Sequence, residues 1–289
     1  MAVDLQKLKR KMRGVTSTRQ VTRALQMVSA MKMRKAQERS ARSRDYRKAL
    51  HDMMETFRAA SLELSPELAA PHSADSILLV IYASDRGLCG PFNNNVINLV
   101  QQFVWESEQK VDLIAVGWKV GATLQRRGYR ILSNHRRPAV HDRLIFLKNH
   151  AQELWDLWNS GRYSSIQLVY SSLRGMTVER PASTVWLPFQ KDEEDHHSHR
   201  VSTDYIDERN TASVYAATVR RYLDNSLLAA LLESEASEHV ARMVAMDNAT
   251  RNAEDLFDAL QLTYNKARQA KITQEICEIV AGANAIGKG

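Results

Sequence analysis

Two long stretches without glycine or proline constrain this chain more than any other feature. Neither residue occurs between Gly14 and Pro66 or between Pro188 and Gly282. Because glycine and proline are the usual helix breakers, each stretch predicts one helix, over 4–57 and 208–280. At about 1.5 Å of rise per residue, these helices would be about 80 Å and about 110 Å long. Helices of that length must bury one face against each other or against partners.

Apolar residues recur every three or four positions in both stretches, which is typical of helices that pack along one face. The pattern predicts an antiparallel coiled coil of the two ends, with the central region inserted as a separate lobe. In the first stretch the residues are Leu5, Leu8, Met12, Val15, Val21, Leu25, Val28 and Met31. In the second they are Val219, Leu223, Leu227, Ala230, Leu231, Val240, Val244, Leu256, Leu260 and Tyr264.

The middle of the chain alternates short apolar runs with helical patterns. The runs predict strands at 76–84, 111–116, 164–170 and 184–189. Helical stretches fall near 94–107, 120–127 and 147–158. This order predicts a small, mostly parallel, Rossmann-like sheet covered by helices. The predicted regions are therefore an N-terminal coiled-coil helix (1–60), an α/β lobe (75–190) and a C-terminal coiled-coil helix (208–286).

Charge is concentrated at the start of the chain. The net charge is +7, and residues 1–50 hold fifteen Lys and Arg against three acidic residues. A positive rod suits nucleic acid, a membrane surface or an acidic protein surface, although a solvated helix face is the commoner explanation. Two cysteines predict no disulfide framework, and neither a signal peptide nor a transmembrane run is expected.

Motifs for catalysis are missing from the sequence: it contains no phosphate-binding loop, dinucleotide fingerprint or zinc-protease motif. The loop after the first predicted strand contains Cys89, a possible nucleophile. No histidine lies near it in the sequence, and its glycines suit a tight turn, so we interpret the loop as structural. His196, His197 and His199 could bind a metal, but a surface loop is the favoured interpretation. We expect no catalytic residue, cofactor or metal.

Four segments together resemble the gamma subunit of F-type ATP synthase, of the bacterial or archaeal type. They are Asp-Arg-Gly-Leu-Cys-Gly at 85–90, Val-Ser-Ala-Met-Lys-Met-Arg-Lys-Ala at 28–36, Ala-Arg-Met-Val-Ala-Met at 241–246, and Tyr-Asn-Lys-Ala-Arg-Gln-Ala-Lys-Ile-Thr-Gln-Glu-Ile at 264–276. The resemblance implies a single-copy, non-catalytic shaft inside a ring of alpha and beta subunits, with catalysis on beta. It also implies an epsilon subunit, a membrane c-ring under the lobe, and a peripheral location on the cytoplasmic face of the plasma membrane.

The resemblance also assigns roles to individual residues. Contacts with the beta subunits are implied for Arg23, Lys32, Arg34, Lys35, Arg268, Gln269, Thr273 and Glu275. An apolar bearing tip is implied for Ile276, Ile279, Val280 and Ile286. Contacts with the rotor ring and epsilon are implied for Tyr205 and Glu208, and the lobe loop comprises Asp85, Arg86, Gly87, Cys89 and Gly90.

A basic coiled coil that binds nucleic acid is the alternative function. It would account for the positive first helix, and it predicts binding that weakens steeply with salt. It leaves the apolar tip unexplained.

Overall fold

The computed structural model describes residues 4–59, 66–174, 177–178, 180–189 and 211–286. The helices are α1 Leu5–Ala59, α2 Pro66–Ala69, α3 Phe92–Glu106, α4 Trp118–Arg126, α5 Arg143–Asn159 and α6 Thr211–Ile286. The strands are β1 Ser76–Tyr82, β2 Lys110–Val116, β3 Ile131–His135, β4 Ser165–Tyr170, β5 Leu173–Arg174, β6 Thr177–Val178 and β7 Ala182–Leu187. The chain forms two compact units: the coiled-coil unit (1–28 and 243–289) and the lobe unit (29–242).

A five-stranded sheet forms the centre of the lobe unit, with strand order β3-β2-β1-β4-β7. The first four of these strands are parallel to their neighbours, and β7 pairs antiparallel with β4. The predicted mostly parallel α/β sheet is thereby confirmed. A separate two-stranded ribbon, β5-β6, was not predicted.

Both faces of the sheet are covered, which explains why the central strand β1 is an unbroken apolar run after Ser76. Leu79 and Ile81 point to a core that includes residues of α3 and α4. The alternate residues Leu78, Val80 and Tyr82 point to the opposite core, which includes residues of α5 and α6. Because α6 belongs to the second core, it is part of the lobe as well as of the coiled coil.

Within the lobe unit, α1 and α6 run antiparallel. Ser43 and Asn225 exchange two hydrogen bonds of 3.3 Å, and the Phe57 and Tyr215 rings lie 5.6 Å apart. As the residue number increases along α1, the number of its contact residue on α6 therefore decreases. The same order holds within the coiled-coil unit, where Gln26 donates to Asp247 at 2.9 Å and Arg19 lies 4.0 Å from Glu254. The predicted antiparallel pairing of the two ends is confirmed.

The buried positions of α1 agree only in part with those predicted: Leu8 is buried, as predicted. Val21, Val28 and Met31 are exposed, at 55%, 41% and 60%. Of the nine described buried positions, five hold small or hydroxyl side chains and four hold leucine or methionine. They are Leu8, Thr22, Ser29, Met33, Ala36, Ser40, Ser43, Leu50 and Met54.

Hydroxyl residues suit these buried positions because the helix backbone satisfies their hydrogen bonds. The hydroxyl of Thr22 contacts the Arg19 carbonyl at 3.0 Å, and that of Thr250 contacts the Met246 carbonyl at 2.8 Å.

In α6 the residues predicted to form the packed stripe are buried in the lobe unit, but some of those in the coiled-coil unit are exposed. Six residues of the predicted stripe are buried in the lobe unit: Val219, Leu223, Leu227, Ala230, Leu231 and Val240. In the coiled-coil unit, Val244 and Leu256 are about half exposed, at 50% and 51%. Among the described residues, no helix is long and apolar enough to cross a membrane.

Candidate functional site

The loop after β1 is held closed by its own side chains. The Ser84 hydroxyl lies 2.7 Å from the Arg86 carbonyl and 2.8 Å from Asn93 Oδ1, and Asn93 Nδ2 donates to the Arg86 carbonyl at 3.3 Å. Leu88 and Gly90 adopt left-handed backbone angles, with φ of 62° and 56°. These contacts are those of a rigid turn.

Cys89 lies inside this turn and is 2% exposed. Its sulfur is 3.5 Å from Asn93 Nδ2 and 3.8 Å from Ser84 Oγ. Neither neighbour is a base that could hold a thiolate. The contacts support the structural interpretation of Cys89 over the nucleophilic one.

Asp85 ties the turn to two other segments of the lobe. Its carboxylate accepts the backbone N–H of Trp118 at 2.8 Å and that of Arg137 at 3.0 Å. Arg242 of α6 donates to the Gly87 carbonyl at 3.2 Å, whereas the Arg86 side chain is exposed. The five predicted loop residues thus form a junction between strand ends and α6.

Beside this junction lies a buried ionic cluster that the sequence analysis missed, formed by Arg137, Arg143, Glu235, Glu238 and Arg242. Glu238 contacts both Arg137 and Arg242, the latter at 2.6 Å, and Arg143 lies 2.7 Å from Glu235. All five side chains are less than 15% exposed. The three charged residues of α6 follow the apolar stripe of Leu227 and Leu231 at spacings of three and four, a signal that could have identified them.

Electrostatics favour the charged form of Glu238. Burial raises the pKa of Glu238, but the positive charges of Arg137 and Arg242 outweigh burial, so the pKa lies below its ordinary value. Burial lowers the pKa of His239, and the attraction of Glu238 and Glu235 does not reverse that effect. Glu238 is therefore a carboxylate matched by two guanidinium groups.

Hydrogen bonds also join α6 to the rest of the lobe. The pairs are Ser234 donating to the Tyr82 carbonyl at 2.8 Å, Ser237 donating to the Ser171 carbonyl at 2.9 Å, and Trp186 donating to the Leu223 carbonyl at 2.9 Å. Two of the carbonyls lie where β1 and β4 end, beside the ionic cluster. This part of α6 is thus attached by buried polar contacts as well as by apolar packing.

The end of α6 has the opposite surroundings. Every side chain from 268 to 283, here called the terminal segment, is exposed. Ile272, Ile276, Ile279 and Val280 are 48–71% exposed. At 100° per residue they fall within an arc of about 100° on one face of the helix. Large aliphatic residues aligned in this way are typical of a surface that meets a partner.

Polar residues predicted to contact the beta subunits border this face. By the same helical spacing, Arg268, Thr273 and Glu275 lie at its edges, and Gln269 continues it toward the start of the segment. Their described contacts stay within the helix: Thr273 donates to the Gln269 carbonyl at 3.0 Å, and Glu275 lies 3.8 Å from Lys271. The structure therefore brings together the predicted tip and the predicted polar contacts on one exposed segment.

The basic residues predicted on α1 are all exposed: Arg23, Lys32, Arg34 and Lys35. None of the four makes an ion pair with another residue in the described ranges. Tyr205, Glu208 and the histidines at 196, 197 and 199 lie outside the described residues, as does the side chain of Ile286.

Comparison with known proteins identifies the family. The family model for ATP synthase, ATP-synt, matches residues 4–286. The ATP synthase gamma chain of Pelotomaculum thermopropionicum is 39% identical over 283 residues, covering 98% of this chain and 99% of that one. The gamma chain of Prosthecochloris aestuarii is 36% identical, with 98% of each chain covered.

Solved structures share the fold. A chain of the Euglena gracilis mitochondrial ATP synthase superposes with a TM-score of 0.64 at 20% identity, covering 98% of this chain and 94% of that one. A chain of the Tetrahymena thermophila enzyme gives 0.58 at 21% identity, covering 79% and 99%. The family match and the curated gamma chains favour the shaft and do not support the nucleic-acid alternative. With its paired long helices, inserted lobe and exposed terminal segment, the chain belongs to the ATP synthase gamma chain family.

Proposed function

We propose that this chain is the central rotor shaft of an F-type ATP synthase, which couples rotation of a membrane ring to the catalytic cycle of an alpha/beta hexamer. The terminal segment carries the proposal. Most helical stability in proteins comes from packing of one helix face, and the terminal segment buries no side chain against the described residues. The apolar inner surface at the top of the hexamer would surround the terminal segment. The aliphatic face would turn against that surface through non-directional contacts.

The polar residues around the terminal segment would contact the catalytic beta subunits. Charged and hydrogen-bonding groups fix orientation more sharply than apolar contacts do. Arg268, Gln269, Thr273 and Glu275 would therefore define particular angles of the shaft. Four basic side chains of α1 would face acidic loops of beta; they are Arg23, Lys32, Arg34 and Lys35. This contact would explain why the four side chains are exposed and form no ion pair within the described ranges.

Coupling follows from asymmetry of the shaft. A shaft with different side chains on each face presents a different surface to each of three catalytic sites. Each site's open and closed states are then biased differently at any one angle. Catalysis would reside on the beta subunits, and this chain would supply no catalytic residue.

Torque must pass between the lobe and α6, and the ionic cluster supports that role. Buried contacts that hold α6 at Glu235, Glu238 and Arg242 resist sliding of the helix on the sheet. The lobe would stand on the c-ring, with Tyr205 and Glu208 meeting the ring and epsilon. One copy per complex would lie peripherally on the cytoplasmic face of the membrane. The Euglena relatives are described as rotor and F1/c-ring assemblies, which agrees with these partners.

Reconstitution with alpha and beta subunits of the same organism tests the proposal. We expect a complex of one copy with the hexamer and stimulated ATP hydrolysis. Truncation after Gln274 should weaken assembly and coupling but leave the lobe folded, as judged by tryptophan fluorescence. All five tryptophans, at 105, 118, 155, 158 and 186, lie in the lobe.

A matched control is Val244→Ser, which removes an exposed aliphatic residue of α6 outside the terminal segment. Its complex should assemble and hydrolyse ATP like the wild type. The proposal would be wrong if the full chain stayed free of the hexamer and instead bound duplex DNA with a steep salt dependence.

A further inference from the structure

Outside the surfaces described above, β3 and α5 bring two histidines and a glutamate together. His135 ends β3, and His150 and Glu153 lie three residues apart on α5. Glu153 Oε2 is 3.5 Å from His135 Nε2 and 3.4 Å from His150 Nδ1. One donor atom from each of the three residues lies within 4.8 Å of the other two.

The spacing of these atoms suits a metal ion. Zinc binds imidazole nitrogen and carboxylate oxygen at about 2.0–2.2 Å, so two ligands of a tetrahedral ion are about 3.3–3.5 Å apart. Both measured separations from Glu153 fall at that value. The other oxygen of the carboxylate, Oε1, is engaged by the Ser133 hydroxyl at 3.0 Å, which leaves Oε2 directed to the histidines.

Aromatic packing holds the two imidazoles in place. His150 is 2% exposed; its ring stacks on Phe146 at 5.5 Å and meets the edge of Tyr82 at 6.2 Å. The His135 ring meets Phe146 edge-on at 5.6 Å. Rings fixed by packing lose little freedom when they bind an ion, which is a property of preorganised sites.

The carboxylate is available in its charged form. Hydrogen bonds from His135 and His150 hold the pKa of Glu153 far below its ordinary value. The side chains of His135 and Glu153 are each about one-third exposed, at 33% and 34%, so water can reach one side of the cluster. Two imidazoles and one carboxylate with one open position are a recurrent ligand set for zinc.

We propose that His135, His150 and Glu153 bind one divalent transition-metal ion of the zinc class, with water at the fourth position. The ion would join the last residue of β3 to the middle of α5. The sequence predicted no metal here because fourteen residues separate the two histidines, a spacing that matches no short zinc motif. A proton shared between the histidines and Glu153 is the competing account of the same distances.

The test measures Zn²⁺ binding to the full chain by isothermal titration calorimetry. Because His196, His197 and His199 could bind zinc themselves, the measurement uses a background in which these three are changed to glutamine. We expect one Zn²⁺ per chain. Removing a ligand by His135→Ala or Glu153→Gln should weaken binding about 100-fold or more, since loss of outer partners alone costs about 10–100-fold. His141→Ala removes an exposed histidine from outside the cluster and should leave binding unchanged.

Two further measurements separate binding from folding. Zn²⁺ should raise the melting temperature of the background chain but not that of Glu153→Gln, because a ligand stabilises only a fold that binds it. Co²⁺ should give the visible absorption of a four-coordinate site in the background chain alone. Absence of stoichiometric Zn²⁺ binding, or binding that His135→Ala and Glu153→Gln leave unchanged in folded protein, would overturn the proposal in favour of the shared proton.

Discussion

Two stretches of the same helix, α6, have opposite surroundings. Between 215 and 242 the helix packs into the lobe core, and Val219, Leu227 and Leu231 are fully buried. Between 268 and 283 every side chain is exposed, including Ile279 at 71%. Both stretches contain aliphatic residues at helical spacing. Periodicity alone therefore does not show whether a helix face is covered by its own chain.

The difference also separates two kinds of polar contact. In the lobe, Glu235 and Glu238 of α6 are buried and matched with arginines, so removing either one leaves an unpaired charge in a poorly solvated site. In the terminal segment, ion pairs such as Lys271 with Glu275 are open to water and screened. We expect substitutions in the first stretch to change folding, and those in the second to change assembly.

The largest effect is expected for Glu238→Ala. The substitution leaves Arg137 and Arg242 buried without their carboxylate, and breaking such a group typically costs about 3–5 kcal/mol. Urea denaturation followed by tryptophan fluorescence measures the free energy of unfolding of the lobe. The matched control, Glu275→Ala, should change it by less than about 1 kcal/mol. If Glu238→Ala and Glu275→Ala lowered the free energy of unfolding equally, the two stretches of α6 would not differ in their polar contacts as we infer.

Leu227→Ala should lower the free energy of unfolding of the lobe slightly less than Glu238→Ala does. Leu227 is fully buried between α6 and the sheet, and leucine-to-alanine changes in cores cost about 2–5 kcal/mol, depending on how far the cavity collapses. Ile279→Ala in the terminal segment should leave lobe stability within about 0.5 kcal/mol of the wild type. A destabilised lobe in Ile279→Ala would show that the terminal segment is buried in the free chain.

A smaller effect is expected in the coiled-coil unit for Thr250→Val. The Thr250 hydroxyl lies 2.8 Å from both Thr22 Oγ1 and the Met246 carbonyl, and both threonines are 8% exposed. Valine keeps the volume and removes the hydrogen bond to Thr22, at a cost of about 1 kcal/mol. Thermal melting followed by helical circular dichroism measures the change, with Thr263→Val as an exposed control. An unchanged melting temperature in Thr250→Val would indicate that the hydroxyl pair contributes nothing.

The smallest expected effect is a change with acid pH in the stability that Glu238 contributes to the lobe. Because the folded pKa of Glu238 lies below its ordinary value of 4.5, its ionisation contributes stability that is present above that value and lost as pH falls through the folded pKa. The stability difference between the wild type and Glu238→Gln should therefore be constant at neutral pH and shrink below about pH 4.5. Denaturation curves at several pH values measure it. A difference that grows toward acid pH would mean that burial, not the arginines, controls this carboxyl.

The helices and most of the sheet could be predicted from the sequence because each depends on local signals. Long runs free of glycine and proline predicted α1 and α6, and the apolar runs predicted β1, β2, β4 and β7. Strand β3 was missed because Ile131–His135 is short and polar at three of its five positions. It pairs with β2 through its backbone, which needs no apolar pattern.

The side-chain contacts were harder to predict. Val21, Val28 and Met31 have the spacing of a packed face, yet they are exposed. The neighbouring Thr22 and Ser29 are buried instead, and the Thr22 hydroxyl bonds to a carbonyl of its own helix. The ionic cluster was missed because charged residues on a helix usually face water. The one local signal is that Glu235 and Glu238 continue the apolar stripe of α6, and the arginines that balance their charges lie about a hundred positions away in the sequence.

The long-range pairing of α1 with α6 has a consequence for how the chain is made. Gln26 and Asp247, which are hydrogen-bonded in the coiled-coil unit, lie 221 residues apart. At about 5–20 residues per second, a ribosome needs about 10–45 seconds to make the second of them after the first. Throughout that interval the beginning of α1 has no partner from its own chain, whereas β1, β2 and β3 can already pair. Part of the sheet can therefore form before the coiled coil closes, whereas the lobe core that contains Val219, Leu227 and Leu231 must wait for α6.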